Sequence, residues 1–160
     1  MLSFEQMVVH LAIALGLGAL MGLERELAGK EAGIRTTMLV SGGAAIFSMI
    51  AITLPYIVAT SPAELPNIIA RNSGFLAVIA NIVVGIGFLG AGIILKTRER
   101  VHGLTTAAVV WVAAAVGTLV GLGLVKFALI SAVLMTGLLY LMRKFGLYEH
   151  VRPNQSGNVD

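Results

Sequence analysis

The sequence predicts an all-α fold, a polytopic membrane protein built as a bundle of about five transmembrane helices. Three observations predict it. The 160 residues are 58% hydrophobic and 12% charged, whereas soluble domains carry roughly 25% charged residues; a soluble fold of this size could not hide so much apolar surface. The apolar residues fall into long runs, and a helix needs about 20 of them to cross about 30 Å of hydrocarbon. The charged residues gather in short clusters between those runs.

The first run, Met7 to Leu23, is preceded by Glu5 and halts at Glu24, Arg25 and Glu26. It has neither a basic leader nor a small-residue cleavage pattern, so it reads as a retained span. The second, Thr37 to Leu54, is expected to stop at Pro55, whose ring and missing N–H oppose a continuing helix. The polar interval that follows, with Pro62, Pro66, Asn67, Arg71, Asn72 and Ser73, reads as a loop with a short helix beginning near Ala63. The third run, Phe75 to Leu95, ends at Lys96, Arg98 and Arg100. The fourth and fifth, Leu104 to Leu122 and Val125 to Leu141, are separated by a tight glycine turn. A transmembrane domain over 1–142 results, with spans near 7–23, 37–54, 75–95, 104–122 and 125–141, and a short polar tail at 143–160.

Nine of the eleven Lys and Arg residues lie in the first and third connections and the tail; only Arg71 and Lys126 lie opposite. Basic residues stay on the cytoplasmic side, so the N-terminus is expected outside and the C-terminus in the cytoplasm. At an offset of 69 residues, Gly16, Gly18, Thr36 and Thr37 fall on Gly85, Gly87, Thr105 and Thr106 without a gap. The offset reads either as two parallel helical hairpins followed by a fifth helix or as coincidence in a chain rich in Gly, Ala, Leu and Val.

A pI near 9.6 raises nucleic acid as a partner, but no extended basic face exists and none is expected to bind. The absence of cysteine excludes disulfides and thiolate metal sites. No Asp precedes Asp160 and no Glu lies inside a run, so no dehydrated metal or proton relay is expected, nor any cofactor. The histidines show no ligand spacing. No catalytic constellation is present either, and the chain reads as non-enzymatic.

The segment Gly85 to Gly92 matches G-x-G-x-x-G literally, yet it lies in an apolar run without the strand, βαβ unit and acidic residue that dinucleotide binding requires. In lipid, Gly85, Gly87, Gly90 and Gly92 instead favour close helix packing, as do the pairs Gly18/Gly22 and Gly117/Gly121. The densest polar cluster is Glu24, Arg25, Glu26, Lys30, Glu31 and Arg35. Such residues often only terminate a span and snorkel to the interface, but Glu24 adjoins a glycine-rich helix where a carboxylate needs a cation, an Arg or a hydroxyl. Arg35, Thr36, Thr105 and Thr106 reach the same level if the two cytoplasmic turns pack together. Asn81 is the strongly polar side chain deep in a span, where an amide usually bonds a neighbouring helix. Trp111 lies mid-span and reads as a packing residue.

Three segments together, Gly22-Leu-Glu-Arg-Glu26 with Ala32-Gly-Ile-Arg-Thr36, Gly85-Ile-Gly-Phe-Leu-Gly-Ala-Gly92, and Gly103-Leu-Thr-Thr-Ala107 with Trp111 downstream, resemble the MgtC/SapB family of bacterial inner-membrane proteins. The resemblance runs from roughly residue 7 to residue 140. It implies a plasma-membrane protein linked to magnesium homeostasis and, in some pathogens, to survival in macrophages. The best-known members look like regulators of other membrane machinery, including the F-type ATP synthase and a magnesium-transporting ATPase. The family's signature residues carry over onto Glu24, Arg25, Glu26, Arg35, Thr36, Gly85, Gly87, Gly90, Gly92, Gly103, Thr105 and Thr106.

Two departures stand out. Many members carry a cytoplasmic domain after the last helix, where this sequence has about eighteen residues, so the expectation is the membrane domain without it. Ala77 and Asn81 occupy positions where the family often shows Arg and Gln. The expected function is a non-enzymatic regulator acting through helix packing in the bilayer, with a second copy or a membrane protein such as a transport ATPase as partner. The alternative is a small cation or solute transporter with its site at the cytoplasmic cluster of Glu24, Arg35 and Thr105.

Overall fold

A computed structural model describes residues 2–71, 74–97 and 101–145, with the side chains of 71 and 74–76 left aside. The described residues are helical almost throughout. Its elements are α1 (Phe4–Leu27), α2 (Ile34–Val58), α3 (Leu65–Arg71), α4 (Gly74–Ile93), a two-stranded ribbon of β1 (Leu95–Lys96) and β2 (Val101–His102), α5 (Leu104–Gly121) and α6 (Val125–Lys144). By length and composition α1, α2, α5 and α6 can each cross a membrane, and α4, 20 residues long with an apolar stretch Ala77–Ile93, joins them in the bundle.

The helix ends follow from local chemistry. Ser3 opens α1 with a reciprocal capping box, its hydroxyl accepting from the Gln6 N–H at 3.2 Å while the Gln6 side-chain oxygen Oε1 accepts from the Ser3 N–H at 2.9 Å, which satisfies two otherwise orphaned donors. The C-terminus of α1 closes with Lys30 N–H on the Arg25 carbonyl and Gly29 N–H on the Glu26 carbonyl, both at 3.0 Å. Leu124 and Gly123 repeat that pattern on Leu119 and Val120 at the end of α5. Both are Schellman caps, and each places a glycine in the left-handed region, Gly29 at φ +63 and Gly123 at φ +85, where a Cβ would be strained.

Two expected boundaries move. The charged run does not end α1; Glu24, Arg25 and Glu26 are themselves helical. Nor does α2 stop at Pro55, which lies inside the helix and is buried; the chain continues to Val58, and Ala59 N–H closes the end on the Pro55 carbonyl at 3.1 Å. A proline that leaves only the last turn beyond it removes little of the ladder, and packed neighbours tolerate it. The polar interval holds α3, close to the expected short helix. In the basic turn after α4 the ribbon pairs Leu95 with His102 and Lys96 with Val101; Arg98 and Arg100 lie outside the described residues, as do Asn72, Ser73, His150 and the tail from 146.

The core is small-residue packing centred on α2, which is flanked by α1 and α5. Ala14, Leu17 and Met21 of α1 meet Ala45 and Met49 of α2 and Val109, Ala113, Val116 and Val120 of α5, with Ala128 and Ala132 of α6 closing one side. Glycine permits the approach. A Cβ on Gly18 would stand 2.6 Å from the Thr37 carbonyl oxygen, and one on Gly121 2.5 Å from that of Ala45; Gly22 and Gly117 abut Thr37 and the Ser41 backbone as closely. Buried Ser41 adds an interhelical bond, its hydroxyl donating to the Ala14 carbonyl at 2.8 Å.

The order α1, α2, then α4, α5, then α6 gives two hairpins and a last helix, but their equivalence does not extend to packing. Gly18 is pressed against α2, whereas its offset partner Gly87 has nothing within 4 Å of where a Cβ would stand. Trp111, expected to pack, is 48% exposed, because its face of α5 turns away from the core.

Candidate functional site

Five helix ends converge at one end of the bundle: the C-termini of α1, α4 and α6 and the N-termini of α2 and α5. Glu24 and Arg25 extend α1 into this region and are buried, at 7% and 4% exposure. Arg25 Nη2 donates to Thr106 Oγ1 at 2.7 Å, a buried bond that ties α1 to the first turn of α5. Glu24 Oε1 pairs with Arg143 Nη1 of α6 at 3.5 Å, while its other oxygen, Oε2, is buried and accepts no hydrogen bond from the described residues. Arg143 also lies over the Tyr140 ring, 5.7 Å from its centroid, within cation–π range.

Glu26 has a third role. Gly33 precedes α2 and offers no side chain to cap it, so Glu26 Oε2 accepts the Ile34 N–H at 3.0 Å from across the loop. A carboxylate there also complements the positive end of α2. Thr37 Oγ1 donates to the Gly33 carbonyl at 3.1 Å. At the neighbouring turn, Gly103 starts α5 at φ +83 and lies directly against the Ile93 carbonyl, so no side chain fits. Thr106 is set at its bonding position by this glycine.

The structure therefore divides the sequence-derived cluster. Buried Arg25 bonds buried Thr106, and buried Glu24 pairs with the partly exposed Arg143. Thr36 joins Thr106 in lining a cleft of about 330 Å³ that also takes in Glu31, Gly92 and Leu95. Arg35 and Thr105 are exposed, and no hydrogen bond among the described residues brings either to Glu24. Among those residues no group of three or more His, Cys, Asp and Glu is placed to hold a metal. The chemistry of the cluster is that of a latch between helix ends.

The glycines divide as well. Gly18, Gly22, Gly117 and Gly121 are consumed by packing inside the chain, and Gly90 is buried, with room for a Cβ that would stand 3.6 Å from the Ala107 Cβ. Gly85, Gly87 and Gly92 have open space where a Cβ would stand. Asn81 is exposed at one edge of an apolar groove of about 590 Å³ between α2 and α4, floored in part by Gly43 and Gly85.

Two contributors escaped the sequence reading. Arg143 counted only as a topology charge; its placement on the same side as Glu24, with opposite sign, was the available signal. Thr37, Ser41 and Ser48 form a buried polar face of α2 at helical spacing, unnoticed because hydroxyls on an apolar helix read as neutral.

This architecture defines a multi-pass α-helical membrane protein whose helices are pinned at one end by buried charge. Residues 11–147 match the MgtC family, and the chain belongs to that family. It is 41% identical over 137 residues to the protein MgtC of Salmonella typhimurium, covering 86% of this chain and 52% of that protein. It is 41% identical over 133 residues to MgtC of Brucella abortus, covering 83% and 50%. An uncharacterized protein of Synechocystis is 33% identical over 159 residues, covering 99% and 62%. The chain spans about half the length of the MgtC relatives it matches. No solved structure matches it.

Proposed function

We propose that the chain is a non-enzymatic regulator in a bacterial plasma membrane, linked to magnesium and ion homeostasis, that acts by packing α4 against another membrane helix. One observation carries the reading. Gly85, Gly87 and Gly92 line a helix whose Phe88 is 85% exposed, and among the described residues nothing lies within 4 Å of where their Cβ atoms would stand. Glycines in a membrane helix are useful where backbones approach closely, and the internal approaches are already made by other glycines. The link to magnesium rests on family resemblance. The charge distribution supports an N-terminus outside, with the Glu24 and Thr106 end at the cytoplasm. The partner is a second copy or a membrane protein such as a transport ATPase.

Gly87→Leu tests the reading. The variant should insert normally yet lose a specific crosslinked complex in native membranes, together with any low-magnesium growth phenotype of the wild type. Retention of every complex and of the phenotype would sink the proposal. Gly90→Leu is less clean, because Gly90 is buried and a larger side chain disturbs the contact with α5.

The alternative, transport of a cation or small solute past Glu24, Arg35 and Thr105, draws on the buried Glu24 oxygen that accepts no hydrogen bond among the described residues. Proteoliposome flux that disappears in Glu24→Gln would favour it; no flux for any cation would count against it.

A further inference from the structure

We propose that the seam between α2 and α4 holds a phospholipid of the cytoplasmic leaflet, its acyl chain in the apolar groove and an amine-bearing headgroup in the cleft beneath, where Glu31 meets the ammonium and Thr36 and Thr106 meet the phosphate. The inference goes beyond the regulatory reading and does not depend on it. Gly87, whose substitution decides that reading, lies about 160° around α4 from Gly85 in the groove.

The groove has the length and lining of an acyl-chain site. Its α2 wall runs from Leu39 to Ile50, about 16 Å along the helix, close to the depth of one leaflet, about 15 Å of hydrocarbon. Asn81 stands at its edge, and every other wall residue is apolar. Gly43 on the α2 wall and Gly85 on the α4 wall each have open space where a Cβ would stand. Leu39 and Phe47 are 68% and 56% exposed, so the groove opens sideways to the bilayer. Its volume of about 590 Å³ is that of a small-molecule site, about 300–1,000 Å³.

The cleft selects the occupant. It continues the same seam toward the end that the charge distribution assigns to the cytoplasm: Thr36 of the cleft is one turn from Val40 of the groove, and Leu89 is one turn from Ile86. Thr106 is buried, and its oxygen accepts from Arg25. A hydroxyl also carries a proton to donate, and for this one no acceptor lies among the described residues. Thr36 makes no hydrogen bond among those residues either. Thr106 belongs to the first turn of α5, which Gly103 leaves without a side-chain cap, and the positive end of a helix favours an anion. These donors suit a phosphate, and the buried Arg25 guanidinium behind Thr106 adds positive charge. Glu31 brings the opposite sign. It is exposed at the cleft, without a hydrogen bond or ion pair among the described residues, and its carboxylate repels a purely anionic headgroup while attracting an ammonium. Phosphate donors and a free carboxylate in one cleft, at the foot of a groove one leaflet deep, match a zwitterionic aminophospholipid. An apolar helix face would fill the groove but leave Glu31 and the two hydroxyls unmatched.

Native mass spectrometry of the full chain, released from nanodiscs holding equal phosphatidylethanolamine and phosphatidylglycerol, tests the proposal. A phospholipid should stay bound after the disc is stripped away, with phosphatidylethanolamine exceeding phosphatidylglycerol about fivefold, and Glu31→Gln should bring the two near parity. Gly43→Leu fills the groove and should lower retention about tenfold. Should that variant fail to accumulate in the membrane, Gly85→Leu fills the other wall and should have the same effect. Leu134→Ala, on the lipid-facing surface of α6 and 65% exposed in the wild type, should retain lipid as the wild type does. Absence of bound lipid, equal retention by the groove variants and Leu134→Ala, a preference for phosphatidylglycerol, or a preference that Glu31→Gln leaves unaltered would overturn the proposal. None of those results would touch the regulatory reading, which is decided by the crosslinked complex of Gly87→Leu and the growth phenotype.

Discussion

Arg25 and Thr106 lie 81 positions apart in sequence and 2.7 Å apart in space, joined by a buried hydrogen bond from the guanidinium to the hydroxyl. The bond fixes the last full turn of α1 against the first turn of α5. Thr106→Val keeps the side chain's shape and removes the acceptor, so it should destabilise the fold by about 1–3 kcal/mol. Thr106→Ser should recover most of that. Unfolding by denaturing detergent, titrated from mild micelles, would measure both; equal stability of the Val variant and wild type would show that the bond contributes nothing.

The Glu24–Arg143 pair should behave differently. Its separation is 3.5 Å and the Arg143 side chain is 40% exposed, so water screens much of the attraction. Arg143→Gln is expected to cost less than about 1 kcal/mol in the same titration, well below the cost of Thr106→Val. A larger loss for Arg143→Gln would place the main latch on α6 instead.

Glycine substitutions should separate by location. Gly121→Ala puts a Cβ 2.5 Å from the Ala45 carbonyl oxygen, forcing α5 away from α2 at a cost of about 1–3 kcal/mol. Gly87→Ala meets open space and should leave stability unchanged. Folded yield after gel filtration in detergent would register the contrast, and equal yields would argue against the packing of α5 on α2.

Glu26→Ala removes the acceptor for the Ile34 N–H and should cost about 1 kcal/mol, as loss of a helix cap does. The loss should be local. Amide exchange should quicken at Ile34 and the next few residues of α2, while α5 keeps its protection. Unchanged exchange at Ile34 would mean that the cap is dispensable.

The helices themselves were legible in the sequence. Apolar runs, glycine turns and charged stops placed every long helix to within a few residues, except where Pro55 and the Glu24 run looked like ends and are not. Both misreadings have one physical origin. A proline or a charge ends a helix that faces water or lipid, but a packed neighbour can shelter the one and pair the other. Of the polar cluster, Glu24, Arg25 and Thr106 were singled out from their charge and level, yet Arg143 and the capping role of Glu26 were not, since both depend on which residues a loop brings together.

Sequence alone determined that this is a helical membrane protein and roughly where its long helices lie. Hydrocarbon demands that each segment satisfy its own backbone bonds and be apolar along its length, and both are local properties. It did not determine which glycines are spent inside the bundle, nor which charges meet. Those depend on how each helix is rotated about its axis. Lipid is as apolar as the core, so the hydropathy of a span hardly records which face turns inward. Only the tertiary structure decided that Gly18, Gly22, Gly117 and Gly121 are covered, that Gly85, Gly87 and Gly92 are open, and that Arg25 reaches Thr106.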